Sequence, residues 1–203
     1  MSGGDYRFRH FLSFSSRNEE GMIIWKDKNY FDRKTVRANF DFLPLDNFSL
    51  SLNTSYSSID AIMPPSDNHI YGLMYNTLVA YSPWQESDST SLSQLGIKFG
   101  SKRLVASANV KYYPFKNNYR FGLNTVQLNA KFGIDDVERK NSNLFPSGYN
   151  YALFNGGFKA LANSNETNTI FDFGASHNYN FGGVNTTTSF SAQFYDHLWD
   201  GVE

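Results

Sequence analysis

The sequence contains no cysteine, so a disulfide scaffold and a thiolate metal site are both excluded. It has no apolar run of the roughly 18 residues that a transmembrane helix requires. Charge is nearly balanced, with 18 Lys+Arg against 19 Asp+Glu and a formal net charge of −1. At a pI near 6.4, no basic field steers the chain towards nucleic acid. The opening MSGGDYRFRHF carries no apolar stretch behind its charges, so no signal peptide is expected there. The chain is therefore read either as cytosolic or as one that lacks its natural beginning. Glycine-rich phosphate loops, G-x-S-x-G and EF-hand spacings are missing. The histidines, His10, His69, His177 and His197, are scattered without metal-binding spacing. His10 and His177 fall on apolar strand faces, where packing is the expected role. Glu19-Glu20 and Asp135-Asp136 are read as solvated loop charge and not as acid–base pairs. No enzymatic activity, catalytic residue, metal or other cofactor is expected.

What the chain does have is rings set among small polar residues. It contains 13 Tyr and 19 Phe, yet its mean hydropathy is −0.47. In FSLSLNTSYSS (Phe48–Ser58) every second residue is Ser or Asn, and Phe, Leu, Leu, Thr and Tyr lie between them. Successive side chains leave a pleated strand on opposite faces, so this period of two predicts a strand. The same alternation runs through Tyr6–Ser16, Thr35–Leu43, Lys102–Tyr113, Phe121–Ile134, Asn168–Phe181 and Val184–Tyr195. Seven half-apolar strands are predicted, with Leu92–Phe99 a candidate eighth.

The links between these strands alternate in length. Arg17–Lys34, Ile59–Ser101 and Asp135–Thr167 are long; Pro44–Asn47, Pro114–Arg120 and Gly182-Gly183 are short. In an up-and-down meander this places tight turns at one end and large loops at the other, the layout of an outer-membrane barrel. A soluble β-sandwich, such as a carbohydrate-binding module, is the competing reading. Three features favour the barrel: the strict alternation of links, a polar face dominated by Ser, Thr, Asn and Gln, and runs near the roughly 9–11 residues of a tilted membrane strand. Aromatics gather near strand ends at Tyr6, Phe48, Tyr56, Tyr112, Tyr113, Tyr119, Tyr179 and Phe181, as an interfacial girdle requires. The expected fold is thus all-β: an antiparallel meander of seven or eight strands forming part of a transmembrane barrel. Residues 1–203 make a single, incomplete barrel segment without a plug domain.

Particular words carry a family resemblance. SGG (Ser2–Gly4), FLSFSSRNEEG (Phe11–Gly21) and ANFDFLPLDNFSLSLNTSYS (Ala38–Ser57) resemble the early barrel of SusC/RagA-type TonB-dependent outer-membrane proteins. Pro44-Leu45-Asp46-Asn47-Phe48 resembles that family's short P-T-D-W turn, with one extra residue before the ring. SDNHIYGLMYNTLVAYSPW (Ser66–Trp84) is similar to its first large outer loop, and NLFPSGY (Asn143–Tyr149) and SFSAQFY (Ser189–Tyr195) to later loops and strands. The resemblance implies an importer of bulky nutrients, oligosaccharides or peptides, in the bacterial outer membrane. It also implies a plug inside the barrel, energy from TonB and a SusD-like lipoprotein lid.

Under this reading Phe40, Phe42, Leu50 and Leu52 face lipid, and Ser49, Ser51, Asn53 and Ser55 line the lumen or meet the plug. Trp25, Tyr71 and Trp84, in outer loops, are candidates to stack on sugar rings or contact a lid. Ile70, Leu73, Met74, Leu78 and Tyr81 recur at helical spacing and suggest a short amphipathic helix. The N-x-S/T matches at Asn47, Asn53, Asn165 and Asn185 are read as chance in so Asn- and Ser-rich a chain.

Overall fold

A computed structural model describes residues 1–21, 29–64, 96–119, 122–145, 157–181 and 183–202. They form one antiparallel sheet with strands in chain order: β1 (Ser2–Gly4), β2 (Phe8–Glu20), β3 (Tyr30–Leu45), β4 (Phe48–Met63), β5 (Gly96–Tyr119), β6 (Gly122–Phe145), β7 (Phe158–Phe181) and β8 (Val184–Val202). Every strand pairs with its sequence neighbour, an up-and-down meander. β1 and β8 do not pair with each other, so the described sheet has two open edges.

The tight turns all lie at one end, and their sequences explain them. Pro44 and Pro114 cannot donate to a ladder. Each sits where the register shifts, between Phe42 and Leu45 and between Tyr112 and Phe115. A bulge there absorbs the missing donor just before the hairpin closes. Leu43 N–H instead donates to Arg7 O at 2.7 Å, and Tyr113 N–H to Asn47 O at 2.8 Å. Asp5 closes the first hairpin by accepting from Arg7 and Phe8 N–H at 2.7 and 2.8 Å. In that turn Gly4 takes φ +126°, where an added Cβ would stand 2.0 Å from Phe8 O. Gly183, φ +90°, serves the last hairpin, where Phe181 faces Val184.

Register sorts the side chains into two faces. On one, Phe8, His10, Leu12 and Phe14 lie beside Phe42, Phe40, Ala38 and Val36, which lie beside Leu50, Leu52, Thr54 and Tyr56. That surface continues through Leu104–Val110, Leu128–Ile134, Phe171–Ala175 and Phe190–Phe194. Among the described residues only Ala61 and Val137 are buried apolar side chains, and no second layer covers this face. Phe14 is 70% exposed and Phe194 66%.

The strands exceed their expected bounds. β5, β6 and β7 each have 24 residues. At about 3.4 Å per residue each is about 80 Å long. Segments expected as charged links, including most of Asp135–Thr167, are paired strand. The eighth strand is Ser2–Gly4, and not Leu92–Phe99; Gly96–Phe99 begins β5 instead. In Glu138–Asn143 both faces are polar, so pairing continues where the hydrophobic period has stopped.

Candidate functional site

The register places Phe40, Phe42, Leu50 and Leu52 together on one face. Phe42 lies opposite Leu50 and Phe40 opposite Leu52, and the rings of Phe8 and Phe40 stack at 6.2 Å. Ser49, Ser51, Asn53 and Ser55 share the other face, with Ser51 between Asp41 and Asn109. Trp25, Tyr71, Trp84 and the helix expected around Ile70–Tyr81 lie outside the described residues. Tyr113, expected in the aromatic girdle, turns to the polar face and donates its hydroxyl to Gln127 Oε1 at 3.2 Å. Simple alternation is the cause: Tyr113 follows Asn109 and Lys111 on the polar face of β5.

The apolar band holds no Asp, Glu, Lys or Arg. Over the same stretches the polar face carries Arg9, Arg37, Asp41, Lys111, Lys131 and Asp172, with Arg9 opposite Asp41 and Lys131 opposite Asp172. Farther towards the long links lie an ion pair and a separate hydrogen-bonded network. The Arg103 guanidinium forks onto Asp135 at 2.8 and 2.6 Å. Arg139 donates to Glu166 Oε2 at 3.1 Å, and Asn168 Nδ2 donates to Glu166 Oε1 at 3.3 Å. Asn168 Oδ1 in turn accepts from the Tyr195 hydroxyl at 2.6 Å and lies 2.7 Å from His197 Nδ1. An amide oxygen only accepts, so His197 carries its proton on Nδ1 in this arrangement. The Asn168 amide, with Arg139 beside it, holds the Glu166 carboxyl below its ordinary value.

A second cluster occupies β2 and β3 on the same face. Arg17 lies directly opposite Arg33, and Arg37 opposite Ser13. Ser13, Ser15, Arg17, Arg33, Thr35 and Arg37 line an open cleft of about 350 Å³. Arg17 is held by Glu19, with Nε 2.6 Å from Oε1, and its guanidinium lies 5.8 Å from the Phe31 ring centre.

The opposite face changes character just past the apolar band. Ser58, Asp60, Lys98, Gly100, Lys102, Glu138 and Lys140 lie around a shallow groove of about 410 Å³. Lys140 pairs with Glu138 at 2.5 Å, and Tyr30 donates to Asp60 at 3.0 Å. Burial first, and the Asp60 carboxylate second, push the Tyr30 hydroxyl above its ordinary value.

Sequence reasoning missed the arginine cluster and the Asn168 network. Arg17–Lys34 read as a loop, so Arg17 and Arg33 had no register to bring them together. The available signal was the period-two set Arg33, Thr35 and Arg37. No protein-family model matches the chain, and no curated protein matches it.

Proposed function

We propose that this chain is part of the wall of an outer-membrane transporter, a TonB-dependent barrel resembling the SusC/RagA type that imports bulky nutrients. The observation that carries the reading is the course of the apolar band. On β3 it runs from Val36 to Phe42. The β7 residue reached from Val36 by following the cross-strand pairs is Thr167, yet on β7 the band starts four residues later, at Phe171. The lower edge shifts similarly: Phe42 leads to Phe173, while the β7 band continues to Tyr179. Four to six residues over four strand steps, at about 3.4 Å per residue and about 4.8 Å between strands, make a slope of about 35–47°. Strands of transmembrane barrels tilt by roughly 35–45° from the axis, so a charge-free belt parallel to the membrane crosses them at this slope. On β5, Leu104 to Tyr112 spans eight steps, about 27 Å along the strand and about 21 Å across a bilayer at that tilt, near the ~25 Å belt of such barrels.

Lipid would cover the face of Phe40, Phe42, Leu50 and Leu52, and the serine face would be wet or meet a plug. Both edges of the described sheet, β1 and β8, are open. A nutrient ligand, TonB and a SusD-like lid follow from the family resemblance. A soluble sandwich would need a second layer on the apolar face, and the described residues supply none.

Because the chain has no cysteine, single cysteines report solvent directly. In the protein in its native outer membrane, Ser51→Cys and Ser55→Cys should react with a charged thiol reagent, and Leu52→Cys only after detergent is added. Equal labelling at Ser51 and Leu52, or recovery as a monomer without detergent, would refute the assignment.

A further inference from the structure

We infer that Arg17, Arg33 and Arg37 form a binding site for an oxyanion, a carboxylate, sulfate or phosphate group carried by a solute that meets the polar face. Across β2, β3 and β4 the cross-strand triplets on this face read Ser13–Arg37–Ser55, Ser15–Thr35–Ser57 and Arg17–Arg33–Ile59. They contain three cations and no acid. Like charges directly opposite each other in a sheet are destabilising, so Arg17 against Arg33 is a local conflict that Glu19 offsets on the Arg17 side alone and that an anion bound between the two would relieve further. Elsewhere on the same face Arg103 and Arg139 are ion-paired with Asp135 and Glu166, Arg9 and Lys131 lie opposite Asp41 and Asp172, and Lys111 lies between Ser49 and Asn129. Among the described residues Arg33 and Arg37 have no acidic partner.

The cleft is also organised for the task. Arg17 is fixed from one side by Glu19 and lies over Phe31, which reduces the rotamer freedom lost on binding. Thr35, between Arg33 and Arg37 on β3, is only 8% exposed, whereas both arginines are exposed. Planar guanidinium groups match the two oxygens of a carboxylate, sulfate or phosphate, and the Ser13 and Ser15 hydroxyls add donors at the rim. The site follows from polar-face geometry alone; arrival of its ligand through a barrel interior rests on the transport reading.

Thermal unfolding of the full protein in detergent micelles, titrated with sodium sulfate against sodium chloride at matched ionic strength, tests the site. Sulfate also stabilises proteins generally through exclusion from their surface, a component that does not saturate and is common to all variants. The wild type should show an additional saturable rise. Arg33→Gln and Arg37→Gln should each weaken it about tenfold, Arg33→Lys less, and Arg9→Gln, whose arginine faces Asp41, should leave it unchanged. In the absence of sulfate, Arg33→Gln should raise the midpoint by relieving the opposed charges. A sulfate response without saturation, or saturable binding undiminished in both glutamine variants, overturns the site. Loss of stability in Arg33→Gln without any sulfate response assigns the arginines to an acidic side chain of another segment and also overturns it. Saturable sulfate binding together with unreactive Ser51→Cys keeps the site and rejects the transport reading.

Discussion

An arginine scan across the apolar band tests both its solvent and its slope. On β4 the band runs from Phe48 to Tyr56, so Leu52 is its midpoint; on β7 it runs from Phe171 to Tyr179, with Ala175 in the middle. Following the cross-strand pairs from Leu52 through Ala108 and Phe132 leads to Phe171, two alternate positions from Ala175. An arginine on the lipid face costs about 2–4 kcal/mol at the bilayer midplane and about 0–1 near the interface. Leu52→Arg and Ala175→Arg should therefore each cost about 3 kcal/mol, a change of about 150-fold in the folding equilibrium. Phe171→Arg, referenced to Phe171→Ala to remove the lost ring packing, should cost less than about 1 kcal/mol. Ser51→Arg should be tolerated far better than Leu52→Arg. Urea titration of folding into lipid vesicles, using the complete protein, measures all four. A maximum at Phe171 would show that the band follows the cross-strand pairs and not the membrane plane. Equal costs at Ser51 and Leu52 would refute the assignment of faces.

Three further outcomes follow from individual contacts. Asp135→Asn removes one side of a fork whose partners are 52% and 29% exposed; after solvent screening the loss should be about 1 kcal/mol or less and should shrink in high salt, as denaturant unfolding at two salt concentrations will show. Gly4→Ala forces a Cβ against Phe8 O at a positive φ, so it should cost about 1–3 kcal/mol locally and speed hydrogen exchange at the Leu12 amide, which bonds Met1 O. Because Glu166 is held below its ordinary value, its contribution is fully present above the unfolded glutamate range and is lost as pH falls through the folded value; unfolding midpoints from pH 7 to 3 should drop more steeply in the wild type than in Glu166→Gln.

Much of the sheet was legible because its central stretches alternate. From Thr35 to Ser57 each face has one chemistry, and a one-residue slip would exchange lipid-type and water-type side chains, so the pattern specifies the register. Prolines 44 and 114 marked the turn end as well. The outer parts of β5, β6 and β7 were illegible for the opposite reason. In Glu138–Asn143 the alternating positions are polar on both faces, and a paired strand wet on both sides reads like a loop. The Asn168 network was hidden similarly, since Arg139, Glu166 and His197 are remote in sequence and meet only when those strands continue. Tyr113 was misplaced because rings were grouped by their position near a strand end, whereas the period of two sets it on the face of Asn109 and Lys111.

The slope of the band also sets a perimeter. Strands spaced about 4.8 Å apart and tilted by about 40° each take about 6 Å of circumference, so these eight account for about 50 Å. Closed alone, they would make a tube about 16 Å across its backbone, which side chains fill. Arg17, Arg33 and Arg37 on one flank would then be crowded against Arg139, Glu166 and His197 on the other. If the chain is the wall segment proposed above, an arc of a wider ring would remove that crowding and leave both groups facing a water-filled span, too broad for wall side chains alone to seal.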